Sequence, residues 1–379
     1  MGLAITRITL RRFRSYLDAA FDDIGLLTVF VGPNAVGKTN IIEGIQLLTS
    51  LSSLRNATAG QLVHWGEKDL FIEAKEKDAY RDLDVSLQTL EGKRLYKVNG
   101  KKKAPREVRG ILPSVVFSPD DLCLVKGAQS IKRAAIDAIG VQINANYHQI
   151  KKDYEKLIRH KNLLLKEGQD PVLLQSVNEM LGVIGAQFQA YRSALFNRMS
   201  PFIQGFYQDI AENREDLACS YIPFWEDYDP EAAASYPFTR EEGQERFMHE
   251  AEARGGEELR RKAALFGPHA DKVEFFIDGR NAGAYGSQGQ QRSLVLAFKL
   301  AEIATIQEIT GQQPVLLLDD VMSELDKRRR EALLSLLSKD VQTFITTTTL
   351  EAFPQKALQQ AKVVRLPLGG GAVEGQEGA

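Results

Sequence analysis

Gly32-Pro33-Asn34-Ala35-Val36-Gly37-Lys38-Thr39 follows the unbroken apolar run Leu26-Leu27-Thr28-Val29-Phe30-Val31 and precedes a stretch with helical spacing, marked by Ile41, Ile42, Ile45, Leu47 and Leu48. A run without polar alternation suits a strand buried on both faces of a sheet, and the apolar stripe beyond it suits a helix with one face in the core. Between them, G-x-x-x-x-G-K-T is the pattern of a loop whose backbone N–H groups converge on phosphates, aided by the positive end of the following helix. Strand, glycine loop and helix in this order predict an α/β nucleotide-binding fold, with Gly32, Pro33, Asn34, Ala35, Val36, Gly37, Lys38 and Thr39 around ATP. Lys38 supplies a point charge to the β- and γ-phosphates, and the Thr39 hydroxyl is a ligand for Mg²⁺.

That metal ion needs a fixed hard-oxygen partner beside the phosphates, and a carboxylate at the end of a second buried strand provides one. Val315-Leu316-Leu317-Leu318-Asp319-Asp320 has this form. Asp319 is the expected metal-side carboxylate, and Asp320 is placed one residue later to orient or deprotonate an attacking water. Lys38, Asp319 and Asp320 are therefore the candidate catalytic residues. Thr39 and Asp319 stand 280 positions apart, a separation that a compact small-molecule kinase has no use for, so something large interrupts the nucleotide fold.

A chain of 379 residues exceeds what a single hydrophobic core usually organises. Its 44% hydrophobic and 26% charged residues are ordinary for a folded soluble protein. With 48 basic against 50 acidic residues the formal net charge is −2, so any nucleic-acid contact has to come from local clusters. Cys123 and Cys219 lack metal-site spacing, and the five histidines form no ligand pair, so neither a structural metal nor a disulfide scaffold is expected. No apolar run approaches the roughly 20 residues of a membrane span, which points to a cytoplasmic protein without a membrane partner.

Strand patterns fill the first hundred residues, including the alternating Asp82-Leu83-Asp84-Val85-Ser86-Leu87 and a hairpin turn at Asn99-Gly100. From about 128 to 210 the pattern is helical with a break at Lys166-Glu167-Gly168-Gln169-Asp170-Pro171, which predicts two helices of about 40 residues each. Residues 225–240 read as a connecting stretch before a polar helix over Glu241–Lys262. Strand and helix then alternate again, through Val273–Ile277, a helix after Gly286, Val315–Leu318, a helix from Lys327 and a strand over Gln342–Thr349. The expected organisation is an ATPase head split between residues 1–120 and 266–368, a mainly helical inserted domain over 121–265, and a disordered tail at 369–379.

Tyr285-Gly286-Ser287-Gln288-Gly289-Gln290-Gln291-Arg292 resembles the signature motif of ABC-type ATPases, in which a serine at a helix start grips a phosphate and a glycine permits close approach. Ser287, Gly289 and Gln290 join the candidate nucleotide contacts. Ser323-Glu324-Leu325-Asp326 looks like the D-loop of the same superfamily. Thr346-Thr347-Thr348 stands where those ATPases usually keep a switch histidine, Asp320 where most carry glutamate, and no clear Q-loop glutamine is found. The shorter Asp320 side chain implies slow hydrolysis. These motifs, with Asn40-Ile41-Ile42-Glu43-Gly44-Ile45, Phe117-Ser118-Pro119-Asp120-Asp121-Leu122 and Phe266-Gly267-Pro268-His269-Ala270-Asp271, resemble the RecF family of bacterial recombination mediators over nearly the whole chain. An arginine-rich segment of that family appears here as Ser130-Ile131-Lys132-Arg133-Ala134-Ala135-Ile136-Asp137. The resemblance implies an ATP-dependent homodimer on DNA, with Ser287 of one copy facing the nucleotide of the other. It also implies cooperation with RecO and RecR in loading RecA during gap repair, replication-fork maintenance and the SOS response. An SMC-like chromosome ATPase, which needs far longer helices, and a transporter's nucleotide-binding subunit, which usually keeps the histidine, share the nucleotide motifs.

Lys93, Arg94, Lys97, Lys101, Lys102, Lys103, Arg106 and Arg109 surround the Asn99-Gly100 turn with one acid, Glu107. A basic hairpin contacts phosphates without reading bases, so Lys97, Lys101, Lys102, Lys103 and Arg106 are the candidate DNA contacts. Arg11, Arg12 and Arg14 form a second, weaker candidate.

Overall fold

A computed structural model describes residues 3–168, 171–227, 237–337, 341–351 and 353–367. The tail expected at 369–379 and residues 228–236 of the connecting stretch lie outside the described residues. The chain divides into two compact units, Met1–Pro119 with Ile306–Ala379, and Asp120–Thr305. Strands β1 (Ala4–Phe13), β2 (Tyr16–Phe21), β3 (Leu27–Val31), β4 (Phe71–Lys77), β5 (Asp82–Leu90), β6 (Lys93–Val98), β7 (Lys101–Lys103) and β8 (Ser114–Phe117) belong to the first unit. Strands β9 (Leu217–Ile222), β10 (Lys272–Ile277) and β11 (Arg280–Asn281) belong to the second. The first unit resumes with β12 (Val315–Asp319), β13 (Thr343–Thr347) and β14 (Lys362–Arg365).

In the first unit a six-stranded antiparallel sheet, β2-β1-β4-β5-β6-β7, and a five-stranded parallel sheet, β14-β3-β13-β12-β8, share one core. Alternation on β1 sends Ile8 and Leu10 inward, while Val29, Phe30 and Leu317 of the parallel sheet are buried without alternation, as strands covered on both faces require. The helix Lys38–Thr49 contributes Ile41, Ile42 and Ile45 to this core, each fully buried, and such side chains stabilise by about 1.5–3 kcal/mol apiece. Gln342 ties the two sheets together, accepting from the Ile5 amide at 2.7 Å and donating to the Ile5 carbonyl at 2.7 Å. Because β3, β13 and β12 are parallel neighbours in register (Phe30 opposite Thr346, Thr346 opposite Asp319), their carboxyl ends fall side by side, where open α/β sheets bind ligands.

The second unit carries the helices Gln129–Ile143, Ala145–Glu167, Pro171–Ala211 and Arg240–Arg261, and the antiparallel sheet β11-β10-β9. The first of the two predicted 40-residue helices is in fact two. Asn144 leaves helical geometry and its side chain accepts from the Asn146 and Tyr147 amides, capping a new helix. The second helix, Pro171–Ala211, runs 41 residues.

The expected head segment 266–368 also differs from the structure, which places residues 266–305 in the second unit. The reason is packing. β10 pairs with β9, and the buried Asp271 carboxylate accepts from Gln189 Nε2 at 2.7 Å, the Phe224 amide at 3.0 Å and the Tyr221 hydroxyl. Arg192 is held beside it by two bonds to Asp137 and one to the Pro268 carbonyl. The Phe266–Asp271 motif is thus a knot in the core of this unit. Burial raises the Asp271 carboxyl to about 7 against the pull of Arg192 and lowers His269 to about 4. Lys132 donates to Glu274 and Arg133 to the Asp271 carbonyl, so both basic residues of the divergent segment serve this packing.

Candidate nucleotide site

The loop after β3 is shaped by backbone geometry that its sequence specifies. Gly37 has φ +99°, and a Cβ there would lie 2.5 Å from Ser15 Oγ, so both conformation and space require glycine. The Tyr16 hydroxyl donates to the Gly37 carbonyl at 3.2 Å, and Asn40 Nδ2 to Ser15 Oγ at 2.9 Å, bracing the loop against the β1–β2 turn. Lys38, with 7% exposure, folds its ammonium over the loop and donates to the Gly32 and Pro33 carbonyls at 2.9 and 2.8 Å.

Thr39 Oγ1 donates to Asp319 Oδ1 at 3.0 Å, bringing together the two predicted metal ligands. A hydroxyl and a carboxylate at this separation fit a small hard cation such as Mg²⁺. Asp320 follows with φ +52°, a left-handed conformation that costs a non-glycine residue about 1 kcal/mol. Its amide donates to Thr346 Oγ1 at 2.9 Å, and among the described residues its buried Oδ1 has no hydrogen-bond partner. Burial raises the Asp320 carboxyl, opposed by Lys38 and reinforced by Asp319 and Glu324. A cavity of about 310 Å³ opens between the loop, Asn40, Arg55 and Asp320.

Three residues here escaped the sequence reading as contacts. Thr346 stands where ABC-type ATPases usually keep a histidine, yet its hydroxyl donates to Asp319 Oδ1 at 2.7 Å while accepting from the Asp320 amide. Arg55 and Asn40 line the cavity, and no motif in the sequence marks Arg55. Ser287, Gly289 and Gln290 belong to the second unit, where Ser287 and Gln290 cap the helix Gln288–Thr310. In the Q-loop region, Asp121 pairs with Lys299 at 2.8 Å.

The basic hairpin is present, with the Asn99-Gly100 turn at φ +49° and +75°. Lys97 and Lys102 stand directly opposite each other on β6 and β7, and Lys101 and Arg106 are exposed. Lys103 instead pairs with Glu107 at 2.8 Å, and Arg94 donates to the Ala57 carbonyl. The second candidate cluster is paired throughout. Arg11 meets Asp18, Arg12 meets Asp69, and Arg14 makes a two-point bond to the buried Glu43.

The model of the RecF/RecN/SMC N-terminal domain family matches residues 4–366. The chain is 35% identical over 374 residues to the DNA replication and repair protein RecF of Heliobacterium modesticaldum, covering 97% of this chain and 98% of that protein. It is 36% identical to RecF of Thermosynechococcus vestitus, covering 95% and 94%. A solved structure of the recombination mediator protein RecF with ATP, from the RecFOR pathway, matches with TM-score 0.83 and 28% identity over 93% of this chain and 94% of that one. An Smc head domain from Pyrococcus furiosus matches with TM-score 0.52 at 15% identity, covering 96% of this chain and 93% of that one, a likeness of fold. Fold and site thus define an ABC-type ATPase head of the RecF/RecN/SMC class. Within that class, the chain belongs to the RecF family of DNA replication and repair proteins. Among the described residues no helix is long and apolar enough to cross a membrane.

Proposed function

We propose that this chain is a cytoplasmic recombination mediator that binds ATP with Mg²⁺, dimerises on duplex or gapped DNA in that state, and releases it after slow hydrolysis. The observation that carries the reading is the 3.0 Å bond between Thr39 and Asp319, which joins the two nucleotide motifs across 280 positions. The phosphate loop binds the triphosphate, and Lys38 exchanges its two carbonyl partners for phosphate oxygens. Thr39 and Asp319 would hold the metal ion, which would supply charge neutralisation at the phosphates. Asp320, with a raised carboxyl and an unpaired oxygen, takes the proton of the attacking water. The ATP-bound RecF among the solved relatives supports the nucleotide assignment.

The same reading places Ser287 and Gly289 of one protomer over the γ-phosphate held by another, so that ATP becomes part of a two-fold interface and its hydrolysis opens the clamp. The Lys97–Lys102 face of the hairpin contacts DNA phosphates without regard to sequence. RecO and RecR are the expected protein partners, with RecA loaded indirectly, in keeping with the RecFOR pathway of the solved relatives. Light scattering with ATP and Mg²⁺, with and without gapped DNA, tests the core of the proposal. Dimerisation that requires ATP supports it, and a protein that stays monomeric at high concentration overturns it.

A further inference from the structure

Ser287 is wired to the end of the 41-residue helix Pro171–Ala211. At the start of the helix Gln288–Thr310, Ser287 Oγ accepts from the Gln290 amide at 3.2 Å, and Gln290 Oε1 accepts from the Ser287 amide at 2.7 Å. This reciprocal pair is a capping box. The other end of the Gln290 side chain, Nε2, donates to Glu215 Oε1 at 3.0 Å. Glu215 Oε2 accepts from the hydroxyl of Tyr207, a fully buried side chain in the last turns of Pro171–Ala211. A continuous chain of hydrogen bonds therefore runs Tyr207, Glu215, Gln290, Ser287, all within the second unit.

The chemistry of each link gives the chain a direction. An ionised carboxylate only accepts, so Glu215 compels Gln290 to turn its NH₂ end outward and its oxygen toward the Ser287 amide. With the Gln290 amide already donating to Ser287 Oγ, the remaining function of that hydroxyl is its own O–H, which is left to donate to an anion. Without Glu215, the Gln290 amide can flip and set its NH₂ against the Ser287 N–H, donor against donor, and the box opens. A bond from a neutral amide to a carboxylate is also stronger than one to a neutral acceptor.

We propose that Glu215 is a positioning residue for the signature serine, and that through Tyr207 it ties the state of the long helix to ATP-driven dimerisation. This rests on the reading that Ser287 closes over the nucleotide of a second copy. The test uses the full chain with Mg²⁺, measuring ATP affinity of the monomer by calorimetry and the ATP concentration for half-maximal dimerisation by light scattering. Glu215→Ala should raise that concentration by about tenfold, the scale of one hydrogen bond to a charged group, while leaving monomer affinity unchanged. Glu215→Gln, whose carbonyl oxygen can still accept from Gln290 Nε2 but as a weaker, neutral partner, should raise that concentration by clearly less than Glu215→Ala does. Tyr207→Phe, which removes one link and preserves packing, should shift dimerisation in the same direction by less. Dimerisation of Glu215→Ala and Tyr207→Phe at the wild-type ATP concentration overturns the inference, as does an equal loss in Glu215→Ala and Glu215→Gln accompanied by weaker monomer binding. A Ser287→Arg protein that still dimerises with ATP removes the two-protomer reading itself, an outcome distinct from a failure of Glu215 alone.

Discussion

Thr346 Oγ1 donates to Asp319 Oδ1 at 2.7 Å and accepts from the Asp320 amide at 2.9 Å, so a single hydroxyl on β13 fixes the Asp319 carboxylate and the backbone of the residue that follows it. Strand pairing creates this relationship, since Thr346 sits opposite Asp319 in the parallel register. Thr346→Val keeps the shape and β-branching but leaves the Asp320 amide without its acceptor. ATP hydrolysis should fall by about tenfold or more, with ATP affinity changed by less than about threefold and stability lowered by about 1–3 kcal/mol. Thr346→Ser should restore hydrolysis. Steady-state turnover and calorimetric binding separate these effects.

Lys38→Ala removes the ammonium that folds over the phosphate loop. Its partners are two loop carbonyls, which water can satisfy, so the fold should persist while tight ATP binding is lost. Wild-type ATP affinity in a folded Lys38→Ala protein would falsify the phosphate-loop assignment.

Lys97 and Lys102 are like charges placed directly opposite across an antiparallel pair, an arrangement that costs stability when nothing sits between them. Replacing Lys97, Lys101 and Lys102 by Gln should weaken DNA binding evenly across sequences and reduce the slope of log K against log salt by up to about 3, one condensed ion per contact. The same variant should melt no lower than wild type. An unchanged salt slope assigns the hairpin to solvent alone.

Glu76 provides a pH test of the first unit. It lies on β4 with 1% exposure, and among the described residues neither carboxylate oxygen has a hydrogen-bond partner. Burial raises its pKa from 4.5 to about 8, against a smaller opposing pull from Arg81. The folded form therefore keeps a proton that the unfolded chain releases. Its contribution to stability is complete below about pH 4.5 and is lost as pH rises through about 8, at up to about 1.4 kcal/mol per pH unit between them. Glu76→Met should flatten the decline in urea-unfolding midpoints between pH 5.5 and 8. Parallel wild-type and variant curves across that range count against the buried acid.

Where the sequence could be read, the signal was local. The phosphate loop and Asp319 announce themselves through contiguous apolar runs ending in residues of special chemistry, and the β6–β7 hairpin through Asn99-Gly100. Thr346 and Arg55 could not be read in this way. Thr346 acquires its role from the register of β13 against β12, and Arg55 from a loop that returns to the cavity after the helix Lys38–Thr49. The division at Thr305 likewise depends on Asp271 finding Gln189 and Tyr221, partners that no spacing in the chain advertises. The break at Asn144 was legible in principle, since asparagine is a strong helix cap, but the apolar stripe continues across it and masks the stop.

Among the described residues β3, the strand that delivers the phosphate loop, pairs only with β13 and β14. During synthesis it leaves the ribosome long before either neighbour exists, so its apolar residues Val29 and Phe30 wait for residues 343–365 with both edges open. The antiparallel sheet, whose strands all lie before residue 104, can assemble early and shelter one flank of the helix Lys38–Thr49. The nucleotide site itself cannot close until the parallel sheet is complete. Until then the open edges of β3 are the kind of unpaired strand edge that favours self-association.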